Sequence, residues 1–397
     1  MINLNQLEQL HIEGKKIIIF CSGLHGVLFC RVLRTCGITI DYFADSDQTK
    51  WGTLITEGIV CISPAEIRNM SCVGFICVGK TRYSEVYDYV IREKLFEVIE
   101  ISTLMDWLIC NRHDLYFDVL RNHAKEKPAD IFYDLLPNRQ TNKKIMRERS
   151  YAKEYVRVAV YTAVFGDYDA NCFPQYRNHQ WDYFYVSDKK PENLPEYYQW
   201  IDAGTVIPTE ITSPIKKNRY IKMHPHLFLQ DYTYSVYIDG NVIIKRDISG
   251  FIKESKSGIA VFMHPMRECI YYEALSIVNF KRVNVEDVCK QMARYFEEGM
   301  PHRYGLAEMP VIVREHMKEK CIDVMETWWR EFDLESQRDQ LSFMYALWRN
   351  KCSLSDLASL GNNVRRNDNL AFVEHLVESR NVKNNLKGQE NYGLAQR

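Results

Sequence analysis

Short continuous apolar runs alternate with helical stretches along the first part of the chain. Lys16–Phe20 is one such run, followed by a glycine-bearing turn, Cys21-Ser-Gly-Leu-His-Gly26, and a helix ending near Gly37. Ile38–Phe43, Gly58–Ile62 and Val73–Val78 repeat the buried-strand pattern. Ser63-Pro64 places a capping hydroxyl and a first-turn proline at the start of a helix, and another helix follows from Ser84. Strands alternating with helices predict a parallel, doubly wound α/β domain over residues 1–110. The charged stretch 111–155, broken at Lys127-Pro128 and Leu136-Pro137, reads as a helical linker. A buried strand at Val156–Thr162 opens a second α/β domain that runs to residue 351, and 352–397 reads as a helical or frayed tail.

One apolar run in the second domain is interrupted by polar residues. Tyr234–Ile244 carries Asp239, Gly240 and Asn241 in its middle. A carboxylate buried without a partner is costly. A short strand, a tight break at Gly240 and a second strand place Asp239 and Asn241 at one edge, pointing out. Two hard oxygen ligands there suit Mg²⁺ or Mn²⁺ carrying a diphosphate; a plain turn whose Asp and Asn bond their own backbone is the competing reading.

Composition narrows the classes. In 397 residues, a hydrophobic fraction of 46% and a charged fraction of 26% describe a globular chain with room for two or three domains. The net charge of −1 gives no electrostatic case for nucleic acid. No apolar run approaches the roughly 18 residues of a membrane span, so peripheral attachment is the membrane contact left open. The 12 cysteines are scattered and form no C-x-x-C pair. That distribution predicts reduced thiols and a cytoplasmic location.

Gly23 and Gly26 after the first strand, with Asp45 after the second, have the layout of a dinucleotide fingerprint. Cys21 stands where the fingerprint has its first glycine, so bound NAD is not expected. Gly74-Phe-Ile-Cys-Val-Gly-Lys-Thr81 matches a phosphate loop in letters alone, because Phe75 to Val78 read as strand. Tyr42-Phe-Ala-Asp-Ser-Asp47, Lys50-Trp-Gly52 and Ile59–Pro64 resemble the small Rossmann-like domain that precedes many bacterial sugar-modifying enzymes.

In the second domain five blocks follow in order: Val160–Asp169, Asp182–Asp188, Asn218–His226, the Asp239-Gly-Asn241 strand, and Ser336–Tyr345. With His264-Pro-Met-Arg267, Gly305–Glu308 and Trp328–Glu331, they resemble the bacterial and plant family of glycosyltransferase-like domains once called a domain of unknown function. Its plant members include mucilage-related proteins and one described as an alkaline ceramidase. The resemblance implies a GT-A-like fold and transfer from a nucleotide sugar, a UDP-sugar foremost, to a glycan or glycolipid. It implies donor contacts from Tyr161, Thr162, Phe165, Gly166 and Asp188, and from Arg219 and Lys222, whose i, i+3 spacing puts both cations on one helical face. Asp239 and Asn241 then hold a divalent metal, with His264 or His316 as a third ligand. Asp339 and Gln340 lie by the sugar, Asp339 as hydrogen-bond acceptor or base. His264, Arg267 and Glu273 line the acceptor or phosphate side. Two other functions compete: a non-catalytic nucleotide- or glycan-binding protein, favoured by Asn241 in place of a carboxylate, and a metal-dependent amide hydrolase, for which His224 and His226 are the one close histidine pair.

Overall fold

The computed structural model describes residues 3–126, 156–166, 172–280 and 283–374. The breaks at Lys127-Pro128 and Leu136-Pro137, the Asp167–Asp169 part of the glycine loop and the tail from residue 375 lie outside them. The chain forms two compact units, one of residues 1–140 with 269–303 and one of residues 141–268 with 304–397. Among the described residues no helix is long and apolar enough to cross a membrane.

The first unit is built on β1 (Lys16–Phe20), β2 (Tyr42–Ala44), β3 (Leu54–Thr56), β4 (Ile59–Ile62), β5 (Cys72–Ile76) and β6 (Glu97–Val98), in the order β3-β4-β2-β1-β5-β6. All neighbours pair in parallel except β3 with β4. The helices α1 (Leu4–Ile12), α2 (Leu24–Thr35), α3 (Pro64–Ile67) and α4 (Lys80–Arg92) connect them, followed by α5 (Ile101–Asn111) and α6 (His113–His123). This is the doubly wound sheet that the alternation predicts. The second strand is shorter than its apolar run, and α4 starts four residues before the predicted Ser84. Phe75 and Ile76 lie within β5, which removes the phosphate-loop lookalike.

The turn after β1 keeps the shape of the fingerprint without its first glycine. Cys21 adopts a left-handed φ of 77°, a conformation that a side chain normally disfavours. Gly26 packs so closely that a Cβ would lie 2.2 Å from the Cys21 carbonyl oxygen. Asp45, buried at the end of β2, accepts from the Ser22 amide (2.9 Å) and hydroxyl (2.8 Å) and from Lys50 Nζ (2.8 Å). Burial raises its proton affinity, but Lys50 and the Ser22 and Asp47 donors outweigh that and bring its pKa to about 2.

Two helices from far along the sequence, Ile270–Asn279 and Val285–Glu297, belong to this unit and pack on α6. The rings of Tyr271 and Phe296 stack at 4.1 Å, and Tyr116 donates from its hydroxyl to the Tyr271 carbonyl (2.8 Å). The division therefore differs from the sequence-based boundaries: α6 lies in the stretch read as linker, and residues 269–303 leave the second domain.

The second unit carries β7 (Val158–Ala163), β8 (Asp182–Ser187), β9 (Tyr198–Asp202), β10 (Tyr234–Ile238), β12 (Ile259–Met263), β13 (Ala307–Arg314) and β14 (Ala358–Gly361), in the order β14-β12-β13-β10-β7-β8-β9. β13 is antiparallel to both neighbours and the other pairs are parallel. A two-stranded ribbon joins β11 (Val242–Ile244) to β15 (Leu370–Phe372). The stretch read as a tail thus supplies an edge strand of the sheet and the ribbon's second strand. Strand β7 leads to β8 and β9 on one side and pairs with β10 on the other, so the order reverses between β7 and β10. Ligands of open parallel sheets sit at such a reversal, at the carboxyl ends of the strands.

Replacing Gly26→Ala drives a methyl group into the Cys21 carbonyl and should destabilise the first unit by about 1–3 kcal/mol. Urea denaturation followed by fluorescence measures it; an unchanged midpoint contradicts the tight turn.

Candidate active site

The helix α7 (Pro214–Met223) starts with proline at its first position and brings Arg219 and Lys222 to one face. Two more helices complete the site, α8 (Glu319–Leu334) and α9 (Asp339–Arg349). Asp339 opens α9 in its first turn and is buried. Lys222 Nζ donates to Asp339 Oδ2 at 3.0 Å and lies 3.6 Å from Asp239 Oδ1. Arg219 Nε lies 2.9 Å from the same Asp339 oxygen. The i, i+3 pair predicted from the sequence is therefore a clamp on a carboxylate 117 positions beyond Lys222.

Lys222 is 2% exposed, and a buried ammonium requires partners on every side. Its charge also faces the rings of Tyr237 (5.1 Å) and Trp328 (5.9 Å). The carbonyl of Lys222, near the helix end where intrahelical donors run out, accepts from the Tyr161 hydroxyl (3.0 Å) and from Arg314 Nη1 (2.7 Å). Trp328 Nε1 donates to the Asp339 carbonyl (2.8 Å), which ties α8 to the start of α9. Burial raises the proton affinity of Asp339, but Arg219, Lys222 and Arg338 outweigh it and hold the carboxyl well below the usual range. Burial, with the nearby Asp239 charge, pushes the Tyr237 phenol up.

Asp239 follows β10 at the carboxyl edge and is partly exposed, its amide bonded to the Pro310 carbonyl (2.8 Å). Asn241 lies in the same turn: the Val242 amide donates to the Asp239 carbonyl (3.0 Å), Asn241 Nδ2 donates to the Val373 carbonyl (3.1 Å), and the Val373 amide donates back to the Asn241 carbonyl (2.9 Å). The oxygen chemistry of Asp239 and Asn241 fits a hard divalent ion. The histidines proposed to complete it do not join them. His316 lies beyond the far end of β13, where Arg314 pairs with Ser235 at the start of β10, and its Nε2 bonds the Leu229 carbonyl at 2.8 Å. Four strand residues, about 13 Å, separate that end from Asp239. His264 ends β12 at the correct edge, but its Nδ1 accepts the amides of Met266 (3.2 Å) and Arg267 (2.9 Å), and its Nε2 lies 3.4 Å from Arg267 Nη2. Both ring nitrogens serve its own loop. Among the described residues, no set of three or more His, Cys, Asp or Glu side chains is placed to hold an ion.

The residues expected to contact the nucleotide divide. Phe165 and Gly166 lie just past β7 and Asp188 just past β8, at the same edge as Asp239. Asp188 is paired with Lys217 (2.7 Å). Gly166 has a left-handed φ of 68°, and a Cβ there would meet Pro214 at 2.9 Å, so its close approach is to the start of α7. Tyr161 is fully buried beneath the Lys222 backbone and supports the site from below instead of facing a base. Thr162 is also buried. Gln340 Nε2 reaches the Ala307 carbonyl only at 3.4 Å. Arg267 is in the second unit with His264, whereas Glu273 belongs to the first unit. His224 and His226 close on Glu326, at 3.6 and 2.9 Å, and His224 Nδ1 bonds the Tyr220 carbonyl at 2.7 Å. Burial lowers both imidazoles, His224 to about 4.

Sequence reasoning missed Arg314 and Trp328 as supports of the site. The available signal was an arginine closing the apolar run Val311–Val313, since a cation at a buried strand position needs a partner.

Asp339 has a depressed proton affinity in the folded state, so its contribution to stability is complete above the ordinary carboxylate pKa of about 3.9 and is lost as pH falls below it. Asp339→Asn should cost about 3 kcal/mol at neutral pH by leaving Lys222 and Arg219 undercompensated. The variant's stability should also decline less than the wild type's on acidification below about pH 4. Urea titrations across pH test both; parallel pH profiles would refute the assignment.

Residues 206–375 match the family model described as "TOD1/MUCI70, glycosyltransferase-like domain". No curated protein sequence matches. Among solved structures, the bifunctional glycosyltransferase WbbM matches at 12% identity and a TM-score of 0.34, over 54% of this chain and 40% of that one. The galactosyltransferase LgtC, in complex with donor and acceptor sugar analogues, matches at 11% identity and 0.29, over 51% of this chain and 72% of that one. The match thus spans under half of WbbM's length. Arg219, Lys222, Asp239, Asn241 and Asp339 all fall inside the segment that is similar to the TOD1/MUCI70 glycosyltransferase-like domain.

Proposed function

We propose that the second unit is a glycosyltransferase that takes a sugar from a nucleotide-sugar donor and places it on a hydroxyl of a glycan or glycolipid. The observation that carries this reading is the Arg219–Lys222–Asp339–Asp239 cluster at the carboxyl edge, beside the reversal between β7 and β10. Arg219 and Lys222 supply the positive potential that a leaving diphosphate needs, fixed in place before the donor arrives. Asp239 and Asn241 would hold a Mg²⁺ or Mn²⁺ ion, which when bound neutralises charge on the diphosphate. The low proton affinity of Asp339 makes it a weak base, so its role is to accept hydrogen bonds from the sugar and to orient the two cations. UDP is the first nucleoside diphosphate to try. The unpaired cysteines are in keeping with a reducing compartment such as the cytoplasm.

Thermal-shift measurements with UDP, GDP and CDP, each with and without Mn²⁺, test the reading on wild type and Asp239→Ala. One nucleoside diphosphate should raise the melting temperature in a metal-dependent way, and the variant should lose that rise. Transfer by Asp239→Ala should fall by about a hundredfold or more. If none of the diphosphates binds the wild type, the donor site is wrong. Binding without turnover of any nucleotide sugar would support a non-catalytic binding protein.

A further inference from the structure

Arg338 differs from the other cations around Asp339. It sits immediately before that residue, at the N-cap of α9, in extended backbone (φ −107°, ψ 105°) that follows the left-handed Gln337 (φ 55°). Arg219 and Lys222 place their charges on Asp339, and Lys222 also faces Asp239. The guanidinium of Arg338 has no carboxylate or hydrogen-bond partner among the described residues, and its Nε is buried without an acceptor. Three cations thus stand around two carboxylates: Arg219 and Lys222 are in contact with Asp339, and Arg338 acts on it only through space.

A buried donor without an acceptor, in a cluster where cations outnumber carboxylates, suits an added anion. A guanidinium suits an oxyanion in particular, because its fork of N–H groups can bond two phosphate oxygens at once. The open N-terminus of α9, which has no side-chain cap, adds partial positive charge at the same point. Connectivity selects the phosphate. If Asp339 holds the donor sugar, a side chain one residue away is next to the phosphate that carries that sugar.

We propose that Arg338 binds the sugar-bearing, distal phosphate of the donor diphosphate. The proposal rests on the nucleotide-sugar reading above and adds to it a residue that distinguishes diphosphates from monophosphates.

Calorimetric titration of wild type, Arg338→Met and Arg338→Lys with a nucleoside diphosphate and the matching monophosphate, in Mn²⁺, tests it. Arg338→Met should lose diphosphate affinity by about ten- to a hundredfold and change monophosphate affinity by less than about twofold. Arg338→Lys should recover part of the loss, since an ammonium keeps the charge without the fork. Arg338 supports the Asp339 carboxylate only through space, so its removal should change the melting temperature little. Should Arg338→Met fail to fold, Arg338→Lys decides alone, and diphosphate affinity equal to wild type overturns the proposal. Equal losses for both nucleotides, or no loss, also overturn it. A raised KM for a phosphorylated acceptor with diphosphate binding intact would assign the residue elsewhere and overturn it too. If the wild type binds no nucleoside diphosphate, the functional reading fails first. Titration with inorganic pyrophosphate then decides Arg338: binding lost in Arg338→Met upholds the anion site, and binding retained or absent in the wild type refutes it.

Discussion

Burial of the Lys222 ammonium is the constraint on which the second unit depends. An ammonium taken out of water must be met by opposite charge and by polarisable surface, or its removal from solvent exceeds any gain from folding. Asp339 and Asp239 meet it from two elements far apart in sequence, and Tyr237 and Trp328 close the remaining sides. The helix that carries Lys222 is held in register, because Tyr161 and Arg314 both donate to the Lys222 carbonyl. A strand end, a helix start, a helix end and the middle of α8 are thereby fixed to a single nitrogen atom. Catalytic electrostatics of the kind proposed here works only if the charges are already in place, and this arrangement gives them no freedom to reorient.

Much of this was legible from the chain. The apolar runs marked β1, β4, β5, β7 and β10, and the polar break at Asp239-Gly-Asn241 marked the edge of the candidate site, because strand periodicity and a carboxylate set into an apolar run leave strong local signatures. The i, i+3 spacing of Arg219 and Lys222 gave their shared face. The partner that they clamp was less accessible: Asp339 is joined to them by a contact over 117 positions, which no local pattern encodes. Direction along a strand was the other loss. His316 reads as a candidate ligand until β13 is found to run against β10, which carries it to the opposite end of the sheet. Tyr161 reads as a donor contact until its hydroxyl is found bonded to the Lys222 carbonyl.

The first unit shows the same limit in another form. Cys21 in place of glycine suggested that the tight turn was lost, yet the backbone adopts the left-handed conformation with a side chain present. The turn is imposed by its surroundings, with Gly26 pressed against its carbonyl and Asp45 holding the next amide. Local propensity was overridden by packing that the sequence spells out only a few residues later.

The helices Ile270–Asn279 and Val285–Glu297 lie within the sequence of the glycosyltransferase-like segment, yet they complete the first unit's core through Tyr271 and Phe296. The chain therefore leaves the second unit, contributes to the first and returns. Modules threaded in this way cannot be exchanged by a single genetic cut. A recombination that discarded the leading unit would leave two aromatic helix faces bare in the middle of the second unit's sequence, and one that copied the leading unit alone would copy it without part of its interior. The two units are bound to a common inheritance by the path of the chain itself.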